Sequence, residues 1–183
     1  MKIDFTEKRL AMATLSVAAL FGVLGPASAV ADDEAPKGYI MNFYADSAHG
    51  AAVEDGAYEV VIDKLEARST DSARRVAAAV NLCVAYTKTK QIDKATETCD
   101  HALEIAGKAV RRISFNDSFR AAQARALDER AIALINRGVL YAVAGKDEQA
   151  KEMFEMANSL SDRNESAALN LLVLQREVAE KDT

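Results

Sequence analysis

Asn81 to Ala102 reads NLCVAYTKTKQIDKATETCDHA, and Asn136 to Ala157 reads NRGVLYAVAGKDEQAKEMFEMA. The second stretch repeats the small, aromatic and alanine positions of the first, fifty-five residues later. Around the first, Val76, Ala79, Val80, Cys83 and Val84 recur at three- and four-residue steps, so the spacing predicts a helix from near Asp71 to Lys88. Asp93 then caps a second helix with Ala95, Cys99, Ala102 and Ile105 on its inner face, interrupted at Gly107. A connection this short makes the two helices antiparallel neighbours. Around the second stretch a longer pattern runs from about Phe119 to Ala144 through Ala131, Leu134, Ile135, Gly138, Val139 and Ala142. Gly145 ends it in the left-handed conformation, and Ala150, Met153, Phe154 and Ala157 mark the returning helix.

Outside the two hairpins the same logic applies. Val53, Ala57, Val60, Val61 and Leu65 predict one helix over 51–67, separated from the first hairpin by the capping cluster Ser69-Thr70-Asp71-Ser72. Between the hairpins VRRISFNDS, 110–118, breaks the rhythm, and Asn116-Asp117-Ser118 can cap the long helix after it. Residues 165–180 form a last helix, apolar at Ala168, Leu171, Leu172 and Val178 and polar at Gln175, Arg176 and Glu177, suited to closing an open stack. Upstream, residues 31–50 lack a sustained helical period, yet Tyr39, Phe43 and Tyr44 are too apolar to be left in water and are expected to pack on the domain. The fold class is all-α.

The first 29 residues read as a leader. MKIDFTEKR carries Lys2, Lys8 and Arg9, an apolar run extends from Leu10 to Leu24, and Ala27-Ser28-Ala29 predicts cleavage after Ala29, with Ala31 as the alternative cut. An uncleaved anchor or a buried core helix are the competing readings, but the run is short for a span of about 20 residues. No cysteine comes after either cut to accept a lipid. The organisation is therefore a signal peptide over 1–29, an arm over 30–50 and a helical domain over 51–180, exported to the periplasm or secreted. The chain's net charge is −5, and the leader holds three bases and two acids, so the remainder carries −6. Such a mildly acidic chain argues against nucleic acid as a partner.

The two hairpins resemble tetratricopeptide repeats, whose pattern is W-x2-L-G-x2-Y, then A-x3-F, then a terminal Pro. Ala79, Leu82, Cys83, Tyr86, Ala95, Cys99, Ala102 and Gly107 occupy the matching places in the first. Leu134, Arg137, Gly138, Tyr141, Ala150, Phe154, Ala157 and Asp162 do so in the second. The resemblance covers about 76–109 and 131–164, and 50–68 resembles only the second helix of a preceding unit. Tryptophan and the terminal proline are missing, Arg137 replaces the leucine, and twenty-one extra residues separate the units. The physical basis is independent of the family: antiparallel helices approach closely only where small residues face each other, and bulky ones fill the wedge to the next hairpin.

Chemistry is sparse. Cys83 and Cys99 stand where the second unit has Gly138 and Phe154, a volume-conserving exchange consistent with simple packing. An even cysteine count in an exported chain, and their similar height on facing helices, favours a Cys83–Cys99 disulfide instead. His101 is two residues from Cys99 and so points elsewhere, and His49 is distant, which leaves no metal site and no cofactor to expect. None of G-x-S-x-G, H-E-x-x-H, the P-loop or G-x-G-x-x-G is present, so no catalytic residue is assigned.

The resemblance implies that the first helix of each unit lines a concave protein-binding groove. By position that groove comprises Val80, Asn81, Val84 and Lys88 with Ile132, Ile135, Asn136 and Val139, flanked by Ala77, Thr87, Ala142 and Val143. Asn81 and Asn136 match a place where such repeats often hold an asparagine that grips a peptide backbone, whereas most of the positions where carboxylate-clamping relatives place lysines are apolar here. An apolar groove has three candidate occupants: the arm from Tyr39 to Tyr44, a second copy of the chain, or an apolar segment of another envelope protein. Alternatively the inserted residues 110–130 turn the groove into ordinary core. The expected function is an exported scaffold or adaptor mediating protein–protein interaction. The alternatives are a helical accessory or catalytic subunit of an envelope complex and a self-assembling structural protein.

Overall fold

A computed structural model describes residues 38–47, 49–67, 76–113, 120–161 and 164–181. The expected leader and the capping residues Asp71 and Asn116-Asp117-Ser118 lie outside these. The described residues form seven helices and no strand: α1 (Gly50–Glu54), α2 (Tyr58–Glu66), α3 (Val76–Lys88), α4 (Ile92–Ile113), α5 (Arg120–Val143), α6 (Asp147–Leu160) and α7 (Ser166–Lys181). Each helix packs on the next from α2 to α7, and α5 also touches both α3 and α7. Thus α3, α5 and α7 stand in one row.

The single helix expected over 51–67 is in fact two. Gly56 takes φ 72°, and the chain turns there with Gly56 N–H donating to Val53 O and Ala57 N–H to Ala52 O. These two bonds satisfy the last carbonyls of α1, the left-handed C-terminal motif that glycine permits without a Cβ penalty. The change of direction leaves Val60 48% exposed instead of inward. The same bonding recurs after α3, where Lys90 (φ 60°) donates to Thr87 O and Gln91 to Tyr86 O. It recurs after α5, where Gly145 (φ 71°) donates to Ala142 O and Lys146 to Tyr141 O. The three turns are separated by 34 and 55 residues, so the twenty-one extra residues fall wholly between the second and third.

The described ones among those extra residues lengthen helices. Helix α4 continues through Gly107 and Val110 to Ile113, correcting the expected interruption at Gly107. A glycine inside a helix costs about 1 kcal/mol, too little to stop a helix held by α3 on one side and α5 on the other. Ala102 and Ala106, both buried, let α4 approach α3 and α5 closely enough for Val80 and Ala133 to reach them.

Two contacts hold the hairpins at matching heights. Cys83 and Cys99 form a disulfide between α3 and α4, with Cα atoms 4.9 Å apart. In the next hairpin Gly138 faces Phe154, whose ring would lie 2.5 Å from a Cβ placed on the glycine. Phe154 is fully buried, so its ring has nowhere to move. Gly138→Ala is therefore expected to destabilise by about 1–2 kcal/mol, overpacking outweighing the helix propensity of alanine. A urea midpoint at or above wild type would show that the ring yields. Arg137 lies mostly buried beside it. Its guanidinium pairs with Asp100 of α4 at 2.8 Å, donates to the Tyr141 hydroxyl at 2.9 Å and stacks over that ring. Its stem is buried while its head ties α5 to α4.

Candidate functional site

Asn81, Asn136 and Asn170 are fully buried at the same register of α3, α5 and α7. A buried amide needs partners for both its ends, and here both come from the arm. Asn170 accepts from Ile40 N–H at 2.7 Å and donates to Ile40 O at 2.9 Å. Asn136 accepts from Asn42 N–H at 2.8 Å and donates to Asn42 O at 2.7 Å. Asn81 accepts from Tyr44 N–H at 2.9 Å and donates to Tyr44 O at 3.1 Å. Residues 40, 42 and 44 alternate, as backbone groups on one edge of an extended chain must. The side-chain amides thus stand in for a neighbouring strand, satisfying backbone groups that no helix or sheet provides for.

The arm runs from α7 toward α3, opposite to the order of the hairpins, and then turns into α1. Gly50 makes that turn feasible, because a Cβ there would collide with the carbonyl oxygens of Tyr44 and Ala45. Ser47 supports the turn by donating to Tyr44 O at 2.8 Å while its hydroxyl accepts from Asn81.

Side chains of the arm are held as specifically as its backbone. Tyr39 packs its ring against Phe154, centroids 6.2 Å apart, and donates its hydroxyl to Glu177 at 2.8 Å. Met41 is buried in the main core beside Tyr39 and Phe43. Asn42 donates its amide to Asn164 at 3.1 Å and accepts from the Ser166 hydroxyl at 3.0 Å. Tyr44 enters the apolar cluster between α3, α4 and α5 with Val80, Ile132 and Ala133. Its hydroxyl is buried with no hydrogen-bond partner among the described residues.

Burial, and for Tyr39 the hydrogen bond to Glu177, push the hydroxyls of Tyr39 and Tyr44 well above the usual phenol range. Burial does the same for Tyr86, whose hydroxyl donates to Glu66. A raised folded-state value means the native state holds these protons more tightly than the unfolded chain. Their contribution is complete below the unfolded phenol value of about 10 and is lost as pH rises beyond it. Urea midpoints should therefore hold steady to about pH 9 and fall between about 10 and 11. Tyr39→Phe should show a shallower decline; an unchanged slope would remove Tyr39 from this account.

The groove predicted from sequence divides in two. Asn81 and Asn136 come together on the arm. Val80, Val84 and Val139 are buried in the clusters that take Tyr44 and Met41, Ile135 is buried with Ala157 and Ala167 of α6 and α7, Ile132 is partly buried, and Lys88 is exposed at the end of α3. Ile135 is fully buried, so an aspartate there would test folding instead of binding. Asn170 escaped the sequence reading although it carried a signal. Ala78-x-x-Asn81-x-x-Val84, Ala133-x-x-Asn136-x-x-Val139 and Ala167-x-x-Asn170-x-x-Val173 share one pattern, and all nine named residues are buried. The last two copies are 34 residues apart. Helix α7 thus matches the first helix of a further hairpin, where the sequence reading had only a closing helix.

Elsewhere, a cavity of about 350 Å³ opens between α6 and α7, lined by Asp147, Lys151, Leu171, Leu174 and Val178 among others. Among the described residues, no group of three or more His, Cys, Asp or Glu is placed to hold a metal, and no helix is long and apolar enough to cross a membrane. No family model matches the chain, and searches of curated proteins and of solved structures return no match.

Proposed function

We propose that this chain is a tetratricopeptide-repeat-like adaptor, exported to the periplasm or beyond, that binds an extended polypeptide segment along the row formed by α3, α5 and α7. The asparagine ladder carries this reading: three amides spaced to take the N–H and C=O of alternate residues recognise peptide backbone and little else. Turns of one geometry 34 residues apart, at Gly56 and Lys90, support the repeat assignment. The Cys83–Cys99 disulfide fits an oxidising compartment, where such bridges persist. Backbone recognition of this kind does no chemistry on the segment it holds, which favours an adaptor over an enzyme.

The test is a selection of displayed peptides on the folded full chain, repeated on Asn136→Ala and Asn170→Ala variants whose helicity is checked first. Enriched peptides that lose binding in both variants support the reading. No enrichment, or equal enrichment on variant and wild type, would remove the concave face from consideration.

A further inference from the structure

We infer that the arm Tyr39 to Tyr44 is a resident pseudo-ligand, and that its side-chain contacts spell the external partner: an extended segment of the form Tyr-x-x-Asn-x-Phe. The inference rests on the peptide-binding reading above and adds to it the identity of the ligand and the reason it displaces the arm.

Three observations carry it. First, the groove reads more than backbone. The tyrosine place is specified twice, by the Phe154 ring and by the Glu177 carboxylate. The asparagine place is specified at both ends of its amide, Asn164 accepting from it and Ser166 donating to it. Aspartate there would bring an oxygen against the Asn164 oxygen, and leucine would forfeit both bonds. Second, the arm fits imperfectly at one place. Tyr44 buries a hydroxyl for which no partner exists among the described residues, close to the negative charges of Glu129 and Asp128. Phenylalanine fills the same apolar cluster without stranding a donor, so an external segment ending in Phe binds better than an untethered copy of the arm. Third, the arm is held by side-chain amides, by its own turn and by the packing of Tyr39, Met41, Phe43 and Tyr44, with no backbone ladder to any helix among the described residues, so its release breaks no helix's own hydrogen bonds.

The experiment uses the full chain and a fluorescein-labelled peptide of residues 38–47, read by anisotropy. Two companions are a peptide with Phe at the Tyr44 place and a scrambled peptide of equal composition. The Phe peptide should bind about tenfold tighter than the native one, the gain from removing a stranded hydroxyl. Arm variants act in the opposite sense and leave the groove untouched. Asn42→Ala in the chain weakens the resident arm and should raise affinity for added peptide about tenfold. Tyr44→Phe tightens the arm and should lower it. Equal binding of the scrambled peptide would overturn the motif while leaving backbone recognition standing. Peptides found by display but no binding of either arm peptide would overturn the pseudo-ligand and again spare the wider reading. Hydrogen exchange on the unmodified chain covers the case in which a variant fails to fold. If the amides of Ile40, Asn42 and Tyr44 open only with global unfolding, the arm is core and the inference fails.

Discussion

Replacing Asn136 by alanine is expected to lower the unfolding free energy by about 3 kcal/mol. The amide is fully buried and makes two bonds, to the N–H and the C=O of Asn42. Alanine removes both partners at once, and each deserted backbone group costs about 1–3 kcal/mol where water cannot reach it. Partial relief comes if the arm lifts and rehydrates, but Asn42 is still anchored by Asn164 and Ser166, so lifting forfeits those contacts as well. Lys88→Ala is the control: Lys88 is exposed, and its loss should change stability by no more than about 0.5 kcal/mol. Urea unfolding measures the difference, and exchange of the Asn42 amide locates it. A change below about 1 kcal/mol, with that amide still protected, would mean that apolar contacts such as Met41 hold the arm and the ladder contributes little.

The hairpins were legible because helix pairing forces small and large residues to recur together. Cys83 with Cys99 and Gly138 with Phe154 are two solutions to one spacing problem, and both were visible in the sequence. The break at Gly56 was not, since the apolar steps from Val53 to Leu65 fit one helix as well as two, and only the left-handed φ distinguishes them. The arm was half legible. Three aromatics in six residues signalled burial, but an extended segment whose bonds run to residues 37, 94 and 130 positions away writes no periodicity into its own sequence. Nor can an apolar helix face say whether it meets solvent, a partner or its own chain. Val84 and Ile135 looked the same as groove or as core; the structure clusters Val84 with Met41 of the arm and Ile135 with Ala157 and Ala167 of α6 and α7. Asn170 was hidden by context: α7 has no returning helix among the described residues, so it read as a cap, although its Ala-x-x-Asn-x-x-Val matches the two earlier copies.

Removing the disulfide with Cys83→Ala and Cys99→Ala together is expected to cost about 3 kcal/mol, the loop-closure entropy of a short ring, here one of sequence separation 16. The site of the loss matters more than its size. Both sulfurs are buried between α3 and α4, and Cys83 lies two residues beyond Asn81 on the same helix. The bridge therefore fixes the height of one rung of the ladder, whereas the Asn136 rung is fixed by Gly138 against Phe154 and by the Arg137 pair with Asp100. Loosening α3 alone should free the arm from one end. Exchange of the Tyr44 amide should rise first, that of Asn42 less, and that of Ile40, held by α7, least. Equal acceleration of all three would show that the stack moves as one body and that the bridge serves overall stability without registering the ladder. A graded response would mean that the bridge registers the Asn81 rung and so sets how firmly that end of the arm is held.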